Sequence, residues 1–292
     1  MYAADTLSAV RRLIVNADDF GLTQGINQAV LELHQGHALS SATLMATASQ
    51  FSQAVSMAEQ SPSLGVGCHI VLVDGTPVLP PSEIPSLIDP SSQNGTAFRP
   101  KLSTFVTDLL RGRISDAEIE AEATAQIRKV QQAGIYVTHV DTHKHSHTFP
   151  RVLRPLVRAA LACGVKAIRN PFEPNWSLNA TASAGHVRKM QVRLLRSQSG
   201  AFIQEVTRNG LLTTDGAIGV LATGTLDALT IRNLLSAMPD GTWEMVCHPG
   251  YNDAALQQAN TRLLASRDVE RTALLETIPH ASVELIQFGQ LA

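Results

Sequence analysis

The chain has 292 residues, 44% of them hydrophobic and 16% charged, with 25 acidic residues against 23 basic ones and a formal net charge of −2. These values describe an ordinary globular protein, long enough to bury roughly 75% of its extended surface without disulfide staples. With no Lys/Arg-rich run and only 4% aromatic residues, the composition argues against a nucleic-acid partner.

The first twenty residues lack an apolar core followed by a cleavage site, and no stretch approaches the roughly 20 apolar residues of a membrane span. Cys68, Cys163 and Cys247 are odd in number and widely spaced, which points to reduced thiols and a cytoplasmic protein. Cys68 precedes His69 and Cys247 precedes His248. On strands, both thiols would point away from those histidines and act as small packing groups.

Leu13-Ile14-Val15 is the first strand, ending at Asp18-Asp19, and residues near 24–35 have helical spacing. Ser41 to Thr47 is a second strand, with a helix to about Glu59, and Leu64 to Leu72 is a third. A Pro-, Ser- and Gly-rich segment then runs from Val73 to about Lys101. Segments this long without periodicity are usually functional or disordered, and a lid or substrate-binding loop is the favoured reading. Ser115-Asp-Ala-Glu118 reads as a capping box. Ile119, Ala123, Ile127 and Val130 follow helical spacing, with Gly134 placed to end the helix.

The next strand carries Thr138-His-Val-Asp-Thr-His-Lys-His-Ser-His147. While it stays extended, His139, Asp141, His143, His145 and His147 share one face. Imidazole and carboxylate both ligate divalent cations. Pro150 suits the first turn of a further helix, Gly164 its end, and Lys166 to Asn170 a fifth strand. Residues 184–209 read as one helix, or two broken at Gly200. Val187, Met190 and Leu194 form its apolar stripe, with Lys189, Arg193 and Arg196 opposite. That basic face is either simply solvated or meets an anionic membrane. Three more strands (Ala217–Ala222, Trp243–Cys247, Val283–Gln287) are separated by helices near 226–238 and 260–277. Strand-helix alternation throughout predicts an α/β fold over residues 1–292 as a single domain. An irregular, TIM-barrel-like (βα) barrel with a long loop after strand 3 is favoured over a doubly wound open sheet.

Barrel enzymes place their sites at the ends of strands. Asp18-Asp19, His69, the histidine run and His248 all fall there or nearby. Two adjacent carboxylates can divide the work, one binding a metal and one moving a proton; the alternative is a helix N-cap. Asp19-Phe20-Gly21 matches the kinase metal-binding tripeptide, but no kinase catalytic or glycine-rich loop accompanies it. A lone strand histidine such as His69 is more often a hydrogen-bonded core residue than a ligand. His248 could orient substrate, protonate a leaving group or cap the turn forced by Pro249-Gly250. One Asp and two His with open coordination positions form a catalytic type of ligand set, suited to metal-assisted hydrolysis.

Five ordered motifs (LIVNADDFGLTQGIN, SSATLMA, GVGCHIVLVDGTPVLP, THVDTHKHSHTFP and CHPGY) resemble the YdjC-like carbohydrate deacetylase family. Lys144 within DTHKHSH, the long VDGTPVLPPSEIPSLID segment and TDGAIGVLATGTLD are closer to its hopanoid biosynthesis-associated branch than to the chitooligosaccharide branch. The resemblance implies an irregular (βα) barrel that hydrolyses the N-acetyl group of an amino sugar. It implies Asp19, His69 and His143 as holders of one divalent metal, zinc or magnesium, with manganese or cobalt tolerated. Asp18 would be the general base and His248 the acid that protonates the leaving amine. His145, His147, Lys144 and Arg169 would contact substrate, and His139 and Asp141 would support the site from below. The branch implies an N-acetylglucosaminyl hopanoid and hence contact with the inner face of a membrane. A chitooligosaccharide substrate, a metal phosphoesterase with Arg169 as its anion clamp, and a silent sugar- or lipid-binding module are the alternatives. A homodimer is compatible with the sequence.

Overall fold

Leu13, Ile14 and Val15 continue through Asn16-Ala-Asp-Asp-Phe20 as one ten-residue strand, β1 (Arg11–Phe20), buried on both faces from Leu13 onward. A near-continuous apolar run buried on both sides is what a central parallel strand requires. The computed structural model describes residues 10–92, 95–181 and 186–291. After β1 come α1 (Gln24–Gln35), β2 (Ser41–Leu44), α2 (Phe51–Glu59) and β3 (Gly65–Ile70). Then follow α3 (Leu102–Leu110), α4 (Asp116–Gln132), β4 (Val137–Thr142) and α5 (Pro150–Ala162). The second half contains α6 (Asn175–Ala180), α7 (His186–Arg196), α8 (Ser199–Arg208), β5 (Gly216–Ile218), α9 (Ala228–Ala237), β6 (Gly241–Cys247), α10 (Ala254–Gln258), α11 (Ala265–Thr277) and β7 (Glu284–Leu285).

The sheet runs β4-β3-β2-β1-β6-β5, with every pairing parallel. Between β4 and β5 the wall is irregular. The segment expected to be a fifth strand makes only isolated bridges, Val140 to Ile168 and Ala167 to Leu212. The expected final stave, Val283–Gln287, shrinks to two residues pairing with Arg12 and Leu13 at the start of β1. The barrel is thus an incomplete one, strongly built on the β1 side and loosely closed opposite.

Helices cover the sheet as their spacing predicts. Ile119, Ala123, Ile127 and Val130 of α4 are fully buried, each large side chain contributing about 1.5–3 kcal/mol of apolar burial. Gly134 (φ 89°) and Gly164 (φ 71°) end α4 and α5 in the left-handed conformation that favours glycine. Only half of the expected capping box forms. Glu118 N–H donates to Ser115 Oγ, but the Glu118 carboxylate accepts from Ser86 N–H in the Pro-rich loop. The expected 184–209 helix divides at residues 197–198, ahead of Gly200. Residues 184 and 185 and the side chains of Val187 and Leu194 lie outside the described residues. Met190 is 66% exposed, so at that position the expected apolar stripe faces solvent rather than the core.

The Pro-rich loop is packed. Ile84, Leu87, Ile88 and Phe98 are buried, and buried Arg99 donates to Ser86 O and Leu87 O and pairs with Asp108. Val78 and Leu79 donate their N–H groups to the Glu122 carboxylate of α4, and Asp74 N–H donates to Arg99 O across the loop's base. So many tethers make it a fixed wall rather than a hinged lid, which corrects that part of the sequence expectation.

Candidate metal centre and its surroundings

In an extended strand, Asp18 and Asp19 would point to opposite faces. A register irregularity between Ala17 and Phe20 lies across them, and Asp19 takes φ 64°. A bulge re-aims side chains at a strand end, and Asp tolerates this conformation better than most residues. Both carboxylates therefore take part in one buried polar cluster. Their N-cap alternative fails, because Thr23 caps α1 by accepting from Ile26 N–H at 3.2 Å.

Three atoms from three strand ends converge. His69 Nε2 lies 3.3 Å from His143 Nδ1 and 3.7 Å from Asp19 Oδ1, and His143 Nδ1 lies 3.5 Å from Asp19 Oδ1. Ligand atoms about 2.1 Å from a tetrahedral zinc stand roughly 3.4 Å apart, so the three edges match a face of such a site. Asp19 Oδ1 is buried with no hydrogen-bond partner among the described residues. An orphaned carboxylate oxygen facing two imidazole nitrogens fits a divalent cation. His143, at 21% side-chain exposure, is the solvent-facing member of the three.

His69 is set from behind. Its Nδ1 is 2.8 Å from Asp141 Oδ1, its register partner on β4. That contact holds a proton on Nδ1 and turns Nε2 toward Asp19 and His143, where it becomes an electron-pair donor once a cation displaces its proton. Burial alone would lower the His69 pKa, but the Asp141 and Asp18 carboxylates outweigh it and raise it to about 9. Asp18, His69 and Asp141 also cluster within ligand range. There, however, a cation is already supplied, because buried Arg169 pairs with both carboxylates.

Asp18 is bound at both oxygens. Arg169 donates Nη2–H to Oδ1 at 2.7 Å and Nη1–H to Oδ2 at 2.9 Å, while Asn16 Nδ2 and Thr43 Oγ1 add longer bonds to Oδ1. Burial works to raise its pKa, but Arg169 and the nearby histidines hold it far below the usual carboxylate range. His248 Nε2 is 3.8 Å from Asp18 Oδ2. Burial pushes the His248 pKa down to about 4 against the pull of Asp18 and Asp19, so its imidazole is neutral at pH 7.

Several sequence expectations need correction here. Arg169 is fully buried and is engaged by Asp18, Asp141 and Glu244, so it does not reach substrate. His147 is also fully buried. Its Nδ1 meets Thr142 Oγ1 at 2.6 Å and its Nε2 meets Arg169 O at 3.2 Å, which is a scaffold role. The alternating face ends at Thr142, because residues 143–148 form a 3-10 turn in which Lys144 (φ 58°) and His145 (φ 50°) are left-handed. Lys144 Nζ is 2.6 Å from Asp74 Oδ2, and Asn260 Nδ2 donates to the other oxygen of Asp74. Lys144 thus ties three loops together instead of standing free for substrate. His145 is half-buried with an unpartnered Nδ1 and remains a candidate contact. Asp141 supports the site as expected from its position, whereas His139 stacks on Phe288 at a 3.7 Å centroid distance and bonds to none of the three ligand candidates.

Glu244, Arg267 and Glu270 escaped the sequence reading. Glu244 of β6 accepts from Arg169 Nε at 2.7 Å, and burial raises its pKa to about 7 despite that cation. Arg267 of α11 donates to Asp19 Oδ2 at 2.5 Å. Glu270, one turn on, accepts the His248 N–H at 2.6 Å. The 267, 270, 274, 277 spacing of buried residues on α11 was the available signal. It runs through two charges, which ordinarily mark a solvated face.

The model of the YdjC-like protein family matches residues 12–283. The chain belongs to this family. A carbohydrate deacetylase of Geobacillus stearothermophilus is 31% identical over 280 residues, covering 96% of this chain and 94% of that one. One of Brevibacillus brevis is 28% identical over 285 residues, covering 96% and 99%. Among solved structures, an Enterococcus faecalis protein provisionally described as a cellobiose-phosphate cleavage protein superposes with a TM-score of 0.74. It is 24% identical, with 97% of this chain and 99% of that one covered. A lactam utilization protein of Thermus thermophilus gives a TM-score of 0.53 at 14% identity, covering 94% and 99%. Both likenesses concern the fold. The YdjC-like membership thus agrees with the five motifs and with the incomplete barrel that carries them.

Proposed function

We propose that this YdjC-like protein is a metal-dependent hydrolase that removes the N-acetyl group from an N-acetylated amino sugar. The observation that carries the proposal is the triangle of Asp19 Oδ1, His69 Nε2 and His143 Nδ1 beside the second carboxylate, Asp18. The carbohydrate deacetylases among its relatives support the same chemistry. A divalent cation held by those three residues would supply Lewis acidity, polarising the acetamide carbonyl and acidifying a water molecule. Asp18 takes the proton of the attacking water. Oδ1 already accepts from three donors, so Oδ2 is the oxygen with capacity left. His248 stands on the Oδ2 side, its Nε2 3.8 Å from that oxygen. Burial keeps its imidazole neutral, so the proton that it delivers to the leaving amine is the one that Asp18 has taken from the attacking water.

The finer reading is an N-acetylglucosaminyl hopanoid, and its support is the sequence resemblance of Lys144 and the long loop to the hopanoid-associated branch; Lys144 itself is held by Asp74. No helix among the described residues is long and apolar enough to cross a membrane, so a lipid substrate requires docking. Exposed Met190 and Leu195 share α7 with Lys189, Arg193 and Arg196, the pattern of a helix lying in a lipid interface. Neutralising Lys189, Arg193 and Arg196 together is expected to weaken co-sedimentation with anionic liposomes at low salt; unchanged co-sedimentation removes this surface from consideration. The phosphoesterase alternative has lost its clamp, since Arg169 is saturated by carboxylates.

Acetate release tests the reading directly. N-acetylglucosaminyl hopanoid and chitooligosaccharides are offered in parallel, with and without chelator. Release that stops with chelator and returns with added zinc, magnesium, manganese or cobalt is the expected result. No release from either substrate, or release indifferent to chelator, contradicts it. Release from chitooligosaccharide alone retains the deacetylase and discards the hopanoid.

A further inference from the structure

Arg267 is fully buried and more than 240 residues away in sequence from the carboxylate it touches. Its Nε donates to Leu263 O at 3.0 Å, which locks the guanidinium to the segment just before α11. Its Nη2 donates to Asp19 Oδ2 at 2.5 Å, while Nη1 is buried without a partner among the described residues. The Arg169–Asp18 pair uses two nitrogens on two oxygens. Arg267 instead uses one nitrogen on one oxygen and leaves Asp19 Oδ1 orphaned toward His69 and His143. An ion pair that served only to tie α11 to β1 would gain from taking both oxygens.

Resting on the metal-centre reading above, we propose that Arg267 is a positioning residue that restricts Asp19 to a single metal-facing oxygen. A carboxylate free at both oxygens can grip a cation with two, filling a position that substrate and water need. Holding Oδ2 with a fixed cation prevents that and aims Oδ1. It also withdraws electron density from the ligand, so the site binds its metal less basically but stays open. The helix that aims Asp19 also sets His248, because Glu270 one turn later accepts the His248 N–H. α11 thereby fixes the distance between a metal ligand and the proton-donor candidate.

The probe is Co2+ alone, added to metal-free protein and followed by visible absorption and by titration. Wild type is expected to give the intense d–d bands of a low-coordinate site. Arg267→Gln is expected to bind Co2+ more tightly, because the competing positive charge is gone and a second carboxylate oxygen enters, and the added ligand atom weakens the bands. Arg267→Lys, which keeps the charge but cannot span both Leu263 O and Asp19, is expected to show the same weakened bands with a smaller gain in affinity. A wild-type spectrum in either variant overturns the proposal. Should both variants fail to fold, X-ray absorption on Co2+-loaded wild type decides, since a carboxylate bound through two oxygens overturns it and one through a single oxygen sustains it. Wild type that binds no Co2+ overturns the metal-centre reading itself, a different result from a variant that keeps the wild-type spectrum.

Discussion

Asp18→Asn is expected to lower turnover by about 10²–10⁴-fold, the usual contribution of a positioned base, while Co2+ or Zn2+ affinity stays near that of wild type. The substitution removes the proton acceptor at Oδ2 without touching the three atoms of the candidate metal triangle. An amide also places an NH2 group against the Arg169 fork, so thermal stability is measured alongside and the activity loss is judged on folded protein. His143→Ala is the contrasting variant: it removes one corner of the triangle and should lose metal affinity first, with turnover restored in part by excess metal. If Asp18→Asn loses the metal and Asp19→Asn retains it, the two carboxylate roles are exchanged.

Asp18, Asp19, His69 and His143 were legible because each is a strongly functional residue type at the end of an apolar run, where a parallel barrel gathers side chains. What brings the two aspartates into one cluster was not legible. Alternation separates neighbours, and only the irregularity at β1 with Asp19 at φ 64° overrides it. The histidine run misled for the converse reason. It reads as a strand face, yet Lys144 and His145 turn left-handed after Thr142, so His147 enters the scaffold while His145 stays beside His143 at the half-open edge. The closing wall of the barrel was over-read too, since Lys166–Asn170 has strand-like residues but makes only isolated bridges. Arg267 and Glu270 were hidden because a charged pair on a helix ordinarily faces water, and burial is a tertiary property no local pattern encodes.

Replacing Arg169 with Met should have the largest effect on stability. Its guanidinium holds Asp18, Asp141 and Glu244 in a region with no solvent access. Removing it leaves three carboxylates facing an apolar group. Breaking a buried ion pair by deleting one partner costs about 3–5 kcal/mol, a large part of the roughly 5–15 kcal/mol that keeps a typical protein folded. The melting temperature should fall by about 10 °C or more, and more at pH 8 than at pH 5.5. The sign follows from the carboxylates. With the cation gone, burial and mutual repulsion raise their pKa values, so the folded state takes up protons and its stability is lost as pH rises. Glu244 already leans that way in the wild type, where burial lifts its pKa to about 7 from an ordinary 4.5, so its own contribution declines between those two values. In the wild type Asp18 opposes it: its depressed pKa adds stability above the ordinary carboxylate range that is lost only in strong acid. Arg169→Met removes that constant gain and leaves the buried carboxylates with raised pKa values, and it is their deprotonation that should turn the pH slope of stability clearly negative across neutrality. Arg169→Lys should recover part of the melting temperature, because it restores one charge, but little turnover, because a point charge cannot grip Asp18 at both oxygens. A melting temperature for Arg169→Met within a few degrees of wild type at pH 8 would mean that water, rather than the guanidinium, solvates these carboxylates. The picture of Asp18 as a base held rigid from behind would then fail with it.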